Sequence, residues 1–204
     1  MTDTVLVDDN SLDWTIRHGR SATLAVLMAQ SPDTAAQYKD KLAKTILSHL
    51  AGDHVTTVTN GVRSAGYLIL DHVKHNTTAP TDLVTPFVRS INHSSNDVKI
   101  LLSQMISLLA KSQSDMLPSD LLKPFVPTLI NGTMEKNSMV RSCSETALVD
   151  VLQLRKGPQG QGQVLSLLDS GARESLVEII TKSLTKLATQ QDDRNNVLDD
   201  TLLL

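Results

Sequence analysis

The dodecapeptide PTDLVTPFVRSI, beginning at Pro80, returns 38 residues later as PSDLLKPFVPTL, beginning at Pro118. Pro86 and Pro124, Phe87 and Phe125, Val88 and Val126, and Ile91 and Leu129 match under that offset. A period near 40 residues constrains a chain strongly, because it marks stacked helical hairpins rather than one closed core. Each copy is followed by a polar turn, HSSND or NGTMEKNS, and then by an amphipathic run, so each reads as helix, turn, helix.

The runs after the turns share a stripe of helical spacing. It falls on Val62, Ala65, Gly66, Ile69 and Val73, then on Val98, Leu101, Leu102, Met105 and Leu109, then on Val140, Cys143, Ser144, Ala147 and Val151. A fourth run, DWTIRHGRSATLAVLMA, opens on Ile16 and places Gly19, Arg20, Thr23 and Leu27 along the same stripe. Each stripe has a cation just after its first apolar position: Arg17, Arg63, Lys99 and Arg141. The first helices lie between these runs. AAQYKDKLAKTILSHLA offers Tyr38, Leu42, Ile46 and Leu50 and ends near Gly52, and residues 83–91 and 121–130 supply the next two. With Thr81 and Ser119 as N-caps, Pro86 and Pro124 fall at the start of the second turn, where a missing N–H costs little.

This gives an all-α reading with helical repeats over residues 1–156, the first of them partial. A Gly/Gln linker follows at 157–163, a terminal helical hairpin at 164–189, and an acidic, fraying tail at 190–204. Aromatic residues are only 2% of the chain, which disfavours base-stacking nucleic-acid modules. A single cysteine excludes an internal disulfide framework, and neither a secretory leader nor a membrane span is expected. The net charge of −3 conceals acidic ends: without Asp3, Asp8, Asp9, Asp13, Asp192, Asp193, Asp199, Asp200 and Arg194, 18 basic and 14 acidic residues remain. A mildly basic body of this kind is far from a dedicated DNA binder.

No set of residues assembles into catalysis, and no cofactor or metal is expected. His72 and His75 stand at i and i+3 on one helix, but no carboxylate or thiolate pattern supplies further ligands. SLTK at Ser183 lacks the companion motifs of a serine-lysine hydrolase. GPQGQG follows no strand and lacks the Lys-Ser/Thr of a phosphate loop. Cys143 reads as a packed thiol. The four cations read as an inter-repeat ladder in preference to a phosphate track, because each recurs at one place in its hairpin. Arg20, on an apolar stripe, needs a partner or a path to water. With Arg17 and His18 it forms the densest basic cluster near the N-terminal end, suited to a protein partner or RNA.

A polar turn followed by Val-Arg or Val-Lys opening a second helix resembles HEAT repeats. The particular wording, DWTIRHGRSATLAVLMA, GVRSAGYLILDHV, FVRSINHSSNDVKILLSQMI, MVRSCSETALVDVLQLRKG and SLTKLATQQDD, is similar to the C-terminal part of the family of translational activators of general amino acid control. That resemblance implies a right-handed α-solenoid of about four to five HEAT-type repeats, the first truncated, so that Ile16, Val26 and Leu27 are poorly covered. It also implies a non-catalytic, cytoplasmic scaffold that associates with ribosomal protein or rRNA and promotes activation of the initiation factor 2 alpha kinase during amino-acid starvation or ribosome stalling. The family's kinase-contacting region lies upstream of the matched stretch, so direct kinase binding by this segment is not expected. The competing reading is a HEAT adaptor for transport or complex assembly that binds peptide partners.

Overall fold

The computed structural model describes residues 13–30, 39–75, 77–112 and 117–152, together with residues 170–171, 173–174, 177–178 and 181. The chain divides into two compact units, Met1–Leu167 and Leu168–Leu204. In the first unit the described elements are α1 (Trp14–Gln30), α2 (Lys39–Leu50), α3 (Val55–Lys74), α4 (Thr81–Arg89) continued by a 3-10 turn (Ser90–Asn92), α5 (Asn96–Lys111), α6 (Ser119–Thr133) and α7 (Ser138–Val151). The described residues of the second unit are helical and exposed. The 157–163 linker, the 190–204 tail and Ser183 lie outside the described residues.

The helices form two layers. α1, α3, α5 and α7 pack in sequence against one another, while α4 packs between α2 and α6 in the other layer. Hairpins α2/α3 and α6/α7 close tightly, and α5 meets its own first helix through the 3-10 turn. This all-helical stack of repeats is an α-solenoid. Each repeat buries its apolar face only by lying on a neighbour.

The duplicated dodecapeptides occupy equivalent places. Leu83 and Leu121, Phe87 and Phe125, and Ile91 and Leu129 are all buried. The rings of Phe87 and Phe125 face each other with centroids 6.0 Å apart, tilted by 58°. The repeat therefore stacks on its own copy, aromatic against aromatic.

Helix starts differ from expectation by one residue. The N-caps are Pro80 and Pro118 rather than Thr81 and Ser119, and neither helix has a side-chain cap. Each proline carbonyl accepts from the third and fourth helical N–H groups, those of Leu83 and Val84 or of Leu121 and Leu122, all at 3.0 Å. Proline suits this position because its backbone is already extended there, at φ −59° and ψ 129° for Pro80, while its carbonyl remains available. Pro86 and Pro124 consequently lie one position deeper, and each forfeits a full bond to the carbonyl of Asp82 or Asp120. One turn later, Ser90 and Thr128 donate their hydroxyls to the carbonyls of Pro86 (3.3 Å) and Pro124 (2.7 Å), another feature the two copies share.

Candidate functional site

The buried stripe of the second-helix layer has one register throughout. It comprises Val62, Gly66, Ile69, Leu70 and Val73 on α3, Val98, Leu102, Met105, Ile106 and Leu109 on α5, and Val140, Ser144, Ala147, Leu148 and Val151 on α7. These are positions i, i+4, i+7, i+8 and i+11. Leu101 and Cys143, expected on the stripe, are only half-buried. On α1 the buried residues are Ser21, Leu24, Ala25 and Met28, which fit the same register with Arg17 at position i. The expected α1 stripe through Ile16, Arg20, Thr23 and Leu27 is thus displaced by one residue: Ile16 is 47% exposed and Arg20 half-buried. Ser21, not Arg20, takes the place of Gly66, Leu102 and Ser144. His18, not Arg17, takes that of Arg63, Lys99 and Arg141. Val26 is 55% exposed and Leu27 half-buried.

The remaining three cations make different contacts. Lys99 reaches out of α5 to the carboxylate of Glu135 in the turn of the next hairpin, at 2.6 Å. Arg141 folds back on that same turn and donates to the carbonyls of Glu135 (2.9 Å) and Lys136 (2.7 Å). Glu135 is therefore held from both sides, by the preceding repeat through its side chain and by its own helix through its backbone. Arg63 stays on α3, with its guanidinium 3.5 Å from the amide oxygen of Asn60, while the amide nitrogen of Asn60 donates to the buried hydroxyl of Ser21 on α1 (3.1 Å).

The side chains of Lys99 and Glu135 are 11% and 29% exposed, so their pair is less screened than a surface bridge. A double-mutant cycle with Lys99→Ala and Glu135→Ala is expected to give a coupling of about 1–2 kcal/mol in urea unfolding. A coupling near zero would show that the pair holds nothing.

Two further ties join α5 to α7, and sequence reading did not find them. The fully buried Ser103 and Ser144 hydroxyls bond each other at 3.0 Å. Asp150, its side chain 5% exposed, accepts from Ser107 at 2.6 Å and pairs with Lys111 at 2.9 Å. No sequence signal marks Asp150 as a tie, because its partners lie about 40 residues away on a neighbouring helix.

Beside this seam runs a shallow groove lined by Gln104, Leu108, Ser142, Cys143 and Thr146. No group of three or more His, Cys, Asp or Glu among the described residues is placed to hold a metal ion. His72 lies 2.9 Å from the Thr77 hydroxyl, and His75 lies 2.9 Å from the Asp71 carbonyl and 3.2 Å from its carboxylate. No helix among the described residues is long and apolar enough to cross a membrane.

Stacked hairpins of this period match a family model described as stalled ribosome sensor GCN1-like HEAT repeats, over residues 1–202. The chain belongs to this GCN1-like HEAT-repeat family. It is 32% identical over 202 residues to human stalled ribosome sensor GCN1 and 30% identical to the mouse protein of that name. In both cases 98% of this chain is covered, but only 8% of the relative. The shared region of the GCN1-like proteins corresponds to the repeats described above, from α1 through α7, and includes the second unit.

Proposed function

We propose that the chain is a non-catalytic HEAT-repeat scaffold that associates with stalled ribosomes and supports activation of the initiation factor 2 alpha kinase in the cytoplasm. The observation that carries this reading is the match across nearly the whole chain to proteins named as stalled ribosome sensors. The polar contacts are consistent with it. Lys99 with Glu135 and Lys111 with Asp150 tie neighbouring repeats together, as expected of residues that hold repeats in register, while Arg141 braces the turn of its own hairpin and Arg63 meets Asn60 on its own helix. The basic segment at the start of α1, with Arg17, His18 and Arg20, is the candidate contact for ribosomal RNA or protein. Kinase activation is exerted through the assembled ribosome complex, without direct kinase contact by this segment.

The test is co-sedimentation with stalled polysomes. The ribosome-bound fraction is expected to fall steeply as salt rises from about 50 to about 200 mM, as counterion release requires of phosphate contacts. Arg17→Glu combined with Arg20→Glu is expected to lower it at every salt concentration. Absence of co-sedimentation at low salt would remove the ribosome reading, and binding that ignores salt would remove the basic segment from it.

A further inference from the structure

The two duplicated helices end differently. α6 runs on to Thr133 and buries Ile130, whereas α4 gives way at Ser90 to a 3-10 turn that stops at Asn92. Under the 38-residue offset, Arg89, Asn92 and His93 stand where α6 carries Pro127, Ile130 and Asn131. The early ending leaves a groove between the C-terminal ends of α2 and α4. Its apolar floor is Leu47, Leu50, Val58 and Pro86, and its rim includes Ala51, Arg89, Asn92 and His93. No acidic residue lines it.

The rim is chemically one-sided. Arg89 is exposed at the last turn of α4 and contributes a guanidinium, whose planar fork matches a carboxylate. His93 accepts the backbone N–H of Ser95 on its Nδ1 at 3.0 Å, which leaves Nε2 as the ring's remaining N–H donor. Asn92 adds an exposed amide.

We infer that this groove is a docking site for a partner protein's short segment in which an aliphatic side chain is flanked by aspartate or glutamate. The aliphatic group enters the Leu47, Leu50, Val58 and Pro86 floor, and the acidic group meets Arg89 and His93. Charge complementarity selects this occupant. A nucleic acid could bring phosphates to Arg89 and His93 but would leave the aliphatic floor of Leu47, Leu50, Val58 and Pro86 without an apolar partner. Docking here rests on the groove's own residues and not on ribosome association. At the position of the exposed Asn92 on this rim, the duplicated helix α6 carries the buried Ile130.

The experiment is fluorescence anisotropy on the 204-residue chain. The probe is a labelled, acetylated hexapeptide with a central leucine pair flanked by aspartates; a lysine-flanked version and a single-stranded RNA hexamer serve as controls. The acidic peptide is expected to bind and the lysine peptide not. Arg89→Glu is expected to weaken binding at least about tenfold. Ala51→Trp, an exposed position at the rim, is expected to block the floor to a similar degree. Lys123→Glu, an exposed charge reversal on α6 outside the groove, should leave affinity unchanged. Circular dichroism confirms that each variant is folded.

Three results overturn the proposal: no binding of the acidic peptide at millimolar concentration, equal binding by Arg89→Glu and wild type, or RNA binding that is lost with Arg89→Glu while the peptide does not bind. Polysome co-sedimentation by Arg89→Glu separates this site from the ribosome reading. Retained sedimentation with lost peptide binding supports the docking site alone.

Discussion

Phe87→Ala is expected to destabilise the protein by about 3–5 kcal/mol and to split its unfolding into two steps. Phe87 has no solvent exposure, and its ring meets that of Phe125 where the α4/α5 and α6/α7 repeats touch on the first-helix side. Truncation therefore opens a cavity and removes an aromatic pair that contributes about 0.5–1.5 kcal/mol beyond its buried area. In a stacked array each repeat is stabilised by its neighbours, so weakening one interface lets the parts on either side unfold separately. Urea titration followed by circular dichroism should show a lower midpoint and a broader or biphasic transition. Phe87→Leu, which keeps most of the volume, should cost less than about 2 kcal/mol and preserve a single transition. A Phe87→Ala protein with an unchanged midpoint would mean that the two copies do not lean on each other as described.

The second large effect is expected at Gly132, near the end of α6. A Cβ added there would fall inside van der Waals contact with the Ser144 hydroxyl, 2.8 Å from the Ser144 Cβ and 3.3 Å from the Ile91 Cδ1. Serine is too short to swing aside, so α6 and α7 must part or Ser144 must abandon its bond to Ser103. Gly132→Ala is therefore expected to cost about 1–3 kcal/mol. Helix propensity alone would make the same change stabilising by up to about 1 kcal/mol, so the sign of the measured change identifies the cause. Adding Ser144→Gly should recover most of the loss in thermal melts. A stabilising Gly132→Ala would show that the two helices tolerate a wider spacing.

The period, the two-layer order and the stripes of α3, α5 and α7 were legible because they follow from spacing within single helices. Val62, Val98 and Val140 announce a register that each helix completes with its own aliphatic residues. α1 was misread for an identifiable reason. Its Ile16-Arg17 pair imitates the Val-Arg opening of the other second helices, yet Ile16 is exposed and the buried face runs through Ser21, a polar residue that looks unsuited to a core. Its hydroxyl donates to the His18 carbonyl one turn back and accepts from Asn60, 39 residues away. The caps were misread for the complementary reason: Thr81 and Ser119 are good capping side chains, but the proline before each was already extended. Glu135 and Asp150 were invisible as ties because no pattern within one helix reports what a neighbouring helix presents. The groove beside α4 was hidden too, since the difference between Asn92 and Ile130 acquires meaning only when one helix is seen to stop and its copy to continue.

The joints between successive second helices are built from different materials. Where α5 meets α7, directional bonds through Ser103, Ser107, Lys111 and Asp150 define one seating, and sliding would break several together. Where α3 meets α5, Gly66 admits the thioether of Met105, whose unbranched chain can re-pack without a directional bond to lose. A load pulled along the stack would thus be carried rigidly across the first joint and absorbed at the second, giving the array a compliant segment next to a locked one.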